Sequence, residues 1–255
     1  MNRIILLIII IPVFCYSQLT VVNPGLEGTP PAQGQVPVPW TTCMPFNDVF
    51  NIFNPDACTP DTQPGVWGVT TAPNEGNSYI GLGHIPDYSW SGTGLNSWQE
   101  GFSQELSRPM VANGCPYIFT IDLANALTAD PWNGTNIATT YGEIRIFGGF
   151  DYCSEEELLW SSGSVEDESW QTYTVEFTPS ENYSHILFEC FKTEESAQCG
   201  YLLADNITPI VNTPPNANAG QNQEICLNLT NSNSTNLNAN ILTESETGIW
   251  SVVSG

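Results

Sequence analysis

Apolar and polar residues alternate through much of the middle of the chain. In four stretches, every second residue is apolar or aromatic: 117–123, 144–146, 173–177 and 186–190. A period of two is typical of β-strands that are buried on one face. Clusters of Gly, Pro, Asn and Asp, which form turns, separate these stretches. Helical spacing is limited to one turn at 155–160. The pattern therefore predicts an all-β fold, and many strands without helices favour a jelly-roll β-sandwich.

The first 17 residues have the features of a secretory signal peptide. Arg3 precedes an apolar run from Ile4 to Phe14, and short polar residues lead to Ser17. The run is too short to span a bilayer, and no later stretch resembles a membrane span. We therefore expect cleavage after Ser17 and a secreted or cell-surface protein without membrane insertion. A lipoprotein signal modified at Cys15 is the alternative, which the bulky Phe14 disfavours.

The rest of the chain divides into one large domain and a tail. Residues 18–211 carry the strand pattern and form the predicted jelly-roll domain. A Pro pair marks a linker at 212–216, and a new β pattern occupies 217–255. This tail is far shorter than the roughly 100 residues of an Ig-like sandwich. We therefore expect a partial Ig-like domain, truncated here, in a longer protein.

The charge of the chain excludes some partners. It has 27 Asp and Glu against 4 Lys and Arg. Such a surface repels nucleic acid and anionic lipid, so we expect neither as a partner. Acidic surfaces suit surroundings rich in calcium or salt, although simple solubility explains them equally well. We expect a monomer.

Cysteine usage fits an exported protein. The predicted domain contains an even number of cysteines: Cys43, Cys58, Cys115, Cys153, Cys190 and Cys199. Even parity favours disulfides, and the lack of any Cys-x-x-Cys argues against zinc. Proximity in sequence pairs Cys190 with Cys199 and Cys43 with Cys58. Cys115 and Cys153 are then left for each other.

Two long loops carry candidate ligand-binding aromatic residues. They are predicted at 84–98 and 125–140, and long loops of this kind are often functional. Aromatic rings stack on the apolar faces of sugars, while nearby polar groups bind the hydroxyls. For any one loop Trp, burial is an equally good interpretation, and three others adjoin apolar residues and are expected in the core: Trp67, Trp160 and Trp170. The candidate glycan-binding residues are Tyr88, Trp90, Trp98 and Trp132.

Two carboxylates bracket the predicted domain. Glu27 lies in an extended piece near its start, and Asp205 lies in another near its end. The first and last strands of a β-sandwich often lie side by side, which would bring the two carboxylates together. Hard oxygen ligands of this kind hold calcium. In the alternative interpretation, Glu27 caps a turn and Asp205 pairs with Arg145 or Lys192.

Sequence signals for catalysis are weak. The chain has only His84, expected in a loop, and His185, expected in a strand and structural. It contains neither a Gly-x-Ser-x-Gly elbow nor a His-Glu-x-x-His motif. Glycoside hydrolysis needs only two carboxylates, which an acidic chain offers almost anywhere. We therefore expect no enzymatic activity in this chain.

Several segments of residues 18–211 resemble galactose-binding-like carbohydrate-binding modules. The resemblance rests on 23–28, 76–82, 98–106, 170–177 and 200–207. In that family, a Glu of the first strand and an Asp of the last hold a structural calcium ion, and Glu27 and Asp205 match those places. Sugar-stacking aromatics of the family sit on variable loops, so none transfers by position. Six cysteines are more than the family leads one to expect.

The tail has a resemblance of its own. Segments 217–220, 225–226 and 248–255 resemble the PKD-type Ig-like repeats of secreted Bacteroidetes proteins. Such proteins often end in a gliding-motility-associated domain for type IX secretion. The resemblance implies a role in surface attachment or adhesion.

Three functions remain open from the sequence. The first is a non-catalytic, calcium-stabilised carbohydrate-binding module of an exported multidomain protein, with a polysaccharide or surface glycan as partner. The second is a structural adhesin or stalk segment without a glycan site. The third is a polysaccharide-cleaving enzyme.

Overall fold

The described residues form an all-β protein. The structure is a computed structural model that describes residues 17–43, 60–85, 98–112, 114–127, 129, 138, 140–192 and 200–213. These residues contain one short 3-10 turn, Val66–Gly68, and otherwise strands. In chain order the strands are β1 Ser17–Leu19, β2 Thr41–Cys43, β3 Asp61–Gln63, β4 Tyr79–Ile85, β5 Trp98–Gln99, β6 Gly101–Glu105, β7 Tyr117–Asn125, β8 Gly142–Gly149, β9 Glu157–Ser161, β10 Gln171–Phe177, β11 His185–Lys192, β12 Gly200–Asp205 and β13 Ile210–Asn212.

The strands make two antiparallel sheets. The eight-stranded sheet has the order β1-β13-β7-β12-β4-β3, with β10 also paired to β7 and β5 to the end of β4. The five-stranded sheet has the order β2-β6-β11-β8-β9. The all-β class and the antiparallel sandwich predicted from the alternation are confirmed. The predicted signal peptide, linker and Ig-like tail lie almost wholly outside the described residues.

One apolar core fills the space between the sheets. Alternate residues of each strand point into it, among them Leu82, Leu123, Ile144, Phe188 and Leu202, all fully buried. The rings of Phe102 and Phe188 stack with centroids 5.0 Å apart. Trp160 packs against this core, as its apolar neighbours in the sequence predicted. The alternation therefore decides which face of each strand holds the sandwich together.

A second apolar cluster covers the outer face of the eight-stranded sheet. Tyr79 and Tyr201 alternate with the core residues of their strands and pack beneath the segment 64–78. Trp67 and Trp170, both partly buried, pack against the same cluster, in agreement with the apolar contacts expected for them. The Trp170 indole N–H also donates to the carbonyl of Ala72, at 2.8 Å. The outward-facing residues of β4 and β12 are therefore buried, whereas those of β10 remain exposed.

The outer face of the five-stranded sheet is covered differently. Cys153, in the segment 150–156 after β8, forms a disulfide with Cys43 on the edge strand β2. The Tyr152 ring contacts the His185 ring, with centroids 4.6 Å apart. Outward-facing residues of the central strand β11 are consequently buried, including Leu187 at 3% exposure.

The disulfide corrects the predicted cysteine pairs. Cys43 bonds Cys153 rather than Cys58, so the pairings Cys43–Cys58 and Cys115–Cys153 are wrong. The partners are 110 residues apart in sequence, and only the folding of the segment 150–156 across the sheet brings them together. Cys190 carries a free, buried thiol on the core face of β11, which contradicts a bond to Cys199. Cys58 and Cys199 themselves lie outside the described residues.

Two residues expected in a loop belong to strands. His84 lies within β4, where it pairs with Gly200, and its side chain is 2% exposed. Trp98 begins β5, and its backbone pairs with Ile85. Glycine in β4 made a loop the expected structure around His84. Pairing with β12 and β5 instead continues the strand to Ile85. Within the described residues, no helix has the length and apolarity needed to cross a membrane.

Candidate functional site

Antiparallel pairing brings many chain ends to one end of the sandwich, here called the rim. The strands β4, β7 and β11 end there, and β5, β8 and β12 begin there. The register shows this directly, because His84 pairs with Gly200 and Lys192 pairs with Gly142. A bridge between Thr140 and Gly200 links the entry of β8 to the entry of β12. The chain connections 86–97, 130–137 and 193–199 therefore all attach at the rim.

The candidate glycan-binding residues belong to these connections. Tyr88 and Trp90 lie in 86–97 and Trp132 lies in 130–137, all outside the described residues. Trp98 starts β5 at the rim, and its backbone alone is described. The structure thus brings the ends of the two aromatic-bearing connections to one place. It does not test the contacts that the four side chains make.

The core changes from apolar to polar where it reaches the rim. On β7, the core positions Ile121 and Leu123 are followed by Asn125, which is 1% exposed. On β4, Leu82 is followed in the same way by His84. Sequence reasoning missed Asn125, although a polar residue at the next position of an apolar alternation was a readable signal.

Glycines from both sheets shape this polar layer. A Cβ atom at Gly200 would overlap the His84 imidazole, so the ring occupies the space that a side chain would otherwise fill. On the facing sheet, a Cβ at Gly142 would lie 3.2 Å from the Cys190 sulfur and 3.4 Å from the His84 ring. Burial raises the pKa of the Cys190 thiol well above its usual range, which favours the protonated thiol. The rim end of the core is therefore polar, and its Cys190 thiol is uncharged.

A second polar cluster surrounds Asp205, on the outer face of the eight-stranded sheet. One Asp205 oxygen accepts the backbone N–H groups of Asn74 and Glu75, at 2.9 and 3.0 Å. The other accepts the N–H of Asn206, at 2.8 Å. Burial, together with the negative charge of Glu27, raises the pKa of Asp205 to about 6, although these hydrogen bonds oppose the shift. The two predicted carboxylates are therefore close enough to interact.

Glu27 reaches this cluster from the turn that follows β1. Both of its oxygens accept the backbone N–H of Asn77, at 3.0 Å. Gly76 lies beneath them with φ of +63°, and a Cβ there would collide with the Glu27 carboxylate. The carboxylates lie in the turn and at the end of β12, whereas the first and last strands, β1 and β13, pair with each other. Asp205 accepts backbone N–H groups, and Arg145 contacts Glu143, so the predicted pairing of Asp205 with Arg145 is wrong.

Asp122 is a third carboxylate of this cluster, which sequence reasoning missed. It lies directly opposite Asp205 on β7 and is 2% exposed. Its oxygens accept hydrogen bonds from Asn74 Nδ2, Asn206 Nδ2 and Thr172 Oγ1, at 2.6, 2.9 and 2.6 Å. Through Asn74, Asp122 therefore holds the segment 74–77 against the sheet.

The free oxygen capacity of the cluster suits a hard cation. Both oxygens of Glu27 share one N–H, so most of their lone pairs are unused, and the Glu75 carboxylate also lies beside Gly25. The described residues nevertheless hold no group of three or more His, Cys, Asp and Glu side chains arranged around a metal position. An ion bound by Glu27 and Asp205 would need backbone carbonyls and water as further ligands.

A perturbed carboxyl also lies on the covered face of the five-stranded sheet. Glu189 is 6% exposed and lies across from Arg145 in the register of β11 and β8. Burial and the charge of Glu155 raise the pKa of Glu189 to about 7, against the opposing effect of Arg145. The Arg145 guanidinium lies over the Phe191 ring, 3.4 Å from its centroid. Glu155 belongs to the segment 150–156, so the covering segment itself contributes to this shift.

Solved structures of β-proteins resemble this chain loosely. No protein-family model and no curated protein matches it. An apo-form cyclase from Fischerella sp. is 14% identical over 77% of this chain and 96% of its own, with a TM-score of 0.48. A family 11 carbohydrate-binding module from Clostridium thermocellum, solved with a mixed-linked tetrasaccharide, is 10% identical over 76% and 96%, with a TM-score of 0.41. TmCBM61, solved with β-1,4-galactotriose, is 12% identical over 74% and 95%, with a TM-score of 0.39. Because these TM-scores are below 0.5, the assignment of an all-β sandwich rests on the strand pairing of this structure alone.

Proposed function

We propose that residues 18–211 form a non-catalytic carbohydrate-binding module of an exported protein, with its glycan site at the rim. The supporting observation is the convergence of strand ends there, which attaches the connections bearing Tyr88, Trp90 and Trp132 to one end of the sandwich. Functional loops presented by a rigid scaffold commonly have this arrangement. The segments 64–78 and 150–156 lie over parts of the two outer faces, whereas the rim gathers the long connections.

A glycan array tests this function. The chain is expected to bind at least one polysaccharide or oligosaccharide, and Trp90→Ala and Trp132→Ala are each expected to abolish the signal without unfolding the protein. Phe150→Ala is the matched control, because Phe150 is 55% exposed and belongs to the covering segment rather than to the rim connections. Loss of stability by several kcal/mol, on the order of 3–5, in the two Trp variants would assign both rings to the core and remove the rim site. Retained stability without any glycan binding by the wild type would favour the structural stalk.

We also propose that calcium stabilises the module through Glu27 and Asp205. The negative charge of Glu27 makes ionisation of Asp205 more costly, and a divalent cation shared by the two carboxylates would offset that cost. The bound ion would supply positive charge and fix the segment 74–77 against the turn of Glu27. Chelation is expected to lower the melting temperature by several degrees, because a ligand bound only by the folded state stabilises it. An unchanged melting temperature in the presence of chelator would contradict the calcium site.

One observation favours polysaccharide cleavage as a second candidate. Glu189 has the raised pKa expected of a general acid, and Glu155 lies close enough to perturb it. Burial beneath the segment 150–156 separates this carboxyl from the rim. Release of reducing ends from a polysaccharide by the wild type, abolished in Glu189→Gln, would support this candidate over the binding module.

A further inference from the structure

The Asn125 side chain differs from most buried polar groups of the sandwich. Within the part of the chain that the structure describes, neither its amide oxygen nor its amide nitrogen has a hydrogen-bond partner, although the residue is 1% exposed. Its backbone is fixed, because its N–H donates to the carbonyl of Asp167, at 2.8 Å. A buried amide without partners destabilises the folded state, and an apolar side chain of similar size would avoid that cost. The residue therefore calls for an explanation other than stability.

Two other buried polar residues of the same sheet have hydrogen-bond partners among their neighbours. Tyr201 donates to Asp61 at 2.6 Å and accepts from Gln63 at 2.8 Å. Asn212, at the opposite end of β7, donates from Nδ2 to the carbonyl of Cys115, at 3.3 Å. The fold thus provides partners for buried amides and hydroxyls elsewhere. Asn125 lacks them at the rim, where the aromatic-bearing connections attach.

We infer that the Asn125 amide forms the floor of the glycan site and binds the hydroxyl groups of a terminal sugar residue that enters end-on between the two sheets. The inference rests on the proposed glycan-binding function and names its ligand class. An amide offers one acceptor and two donor hydrogens, which match neighbouring hydroxyls on a sugar ring. With a formal net charge of -23, the chain repels anionic glycans, so the sugar is neutral.

The position of Asn125 restricts the ligand to a chain end. Leu202 lies beside it on the same sheet, and the interior positions behind it, Leu123 and Ile121, are fully buried core. A glycan that reached the amide and continued would have to pass through this core. An internal stretch of polysaccharide would instead lie along a sheet face, away from the Asn125 amide, which points between the sheets.

Calorimetric titration of the full chain tests this with neutral β-1,4- and β-1,3-linked gluco- and galacto-oligosaccharides of two to six units. The wild type is expected to gain little affinity beyond two or three units, and to lose binding when the terminal residue is blocked by methylation. Asn125→Leu is expected to weaken binding at least about tenfold, the loss of one or two hydrogen bonds to a buried amide. Its melting temperature is expected to equal or exceed that of the wild type.

Asn212→Leu is the matched control, the same change at a buried amide that has a partner. It is expected to lower the melting temperature and leave glycan affinity unchanged. If Asn125→Leu loses cooperative unfolding, Asn125→Ala takes its place and is expected to show the same loss of affinity. Wild-type affinity in either Asn125 variant would contradict the role of Asn125 in binding a terminal sugar. Affinity that rises through six units and is unaffected by methylation of the terminal residue would also contradict it. In both cases the glycan-binding function would stand. A wild type that binds none of these sugars and gives no array signal overturns both.

Discussion

The two outer faces of the sandwich are covered in different ways. Over the eight-stranded sheet, the segment 64–78 is held by an apolar cluster and by hydrogen bonds to buried carboxylates, with Asp122 and Asp205 each accepting three. Over the five-stranded sheet, the segment 150–156 is held by the Cys43–Cys153 disulfide and by the contact of the Tyr152 ring with His185, and it lies near the buried Glu189. One cover is fastened by hydrogen bonds to buried carboxylates, whereas the other is fastened by a covalent bond. The difference predicts distinct responses to mutation, reduction and pH.

Removal of the Cys43–Cys153 disulfide has the largest expected effect on stability. The double variant Cys43→Ser, Cys153→Ser is expected to lose about 4 kcal/mol of unfolding free energy, because the disulfide closes a loop of 110 residues. Urea unfolding measures the loss, and reduced wild-type protein should match the double variant. Equal stability with and without the bond would mean that the segment 150–156 holds its place without it.

Removal of the hydrogen-bonding centre beneath the other cover comes next. Asp122→Ala leaves the side chains of Asn74, Asn206 and Thr172 without their acceptor, at an expected cost of about 3 kcal/mol. Hydrogen exchange at the amides of 74–77 should accelerate in the same variant. Thr172→Val removes a single donor and should cost about 1 kcal/mol without changing that exchange. Unchanged protection in Asp122→Ala would show that Asp122 does not hold the segment.

The carboxyl beneath the disulfide-bonded cover makes stability depend on pH. The folded-state pKa of Glu189 is about 7, above its ordinary value of 4.5, so the folded protein binds the extra proton. Stability is therefore expected to fall as pH rises from about 4.5 through 7, by on the order of 2–3 kcal/mol. Glu189→Gln should flatten this part of the profile in urea unfolding at a series of pH values. Exposed Glu105→Gln, on the same sheet, should retain it, and an equal slope in both variants would contradict the assignment to Glu189.

The smallest effect is expected from Asp205. Its folded-state pKa of about 6 lies above the ordinary value of 3.8, so the folded state binds the proton more tightly. In chelator, stability should therefore fall as the pH rises from about 4 to 6. The pKa of Asp205 rises slightly less than that of Glu189, which gives an effect of about 2–3 kcal/mol. Calcium should reverse it, because a bound cation favours the ionised carboxylate. A profile that is the same in calcium and in chelator would separate this cluster from any metal role.

The sequence predicted the fold better than the site because the fold depends on a repeated signal. Alternation at 117–123 and 186–190 decides the buried face of β7 and β11 whatever their partners are. The proximity of Glu27 to Asp205 could be predicted because the two residues bracket the domain. Asp122 was not, since its importance comes from lying opposite Asp205, and register cannot be read from one strand. The Cys43–Cys153 bond was missed for the same reason, because proximity in sequence says nothing about a segment that crosses a sheet.

Pairing of the first strand with the last has a mechanical consequence. Gln18, the first residue after the predicted cleavage point, lies beside Val211, so the two ends of the domain are neighbours. These ends lie near the start of β7, roughly 25 Å from the rim at its other end, given the rise of a strand. A force applied between the two ends would unzip β1 from β13 one hydrogen bond at a time instead of shearing the sheet. Such a joint yields early under load, which suits a recognition head held out from a chain better than a stalk that bears tension.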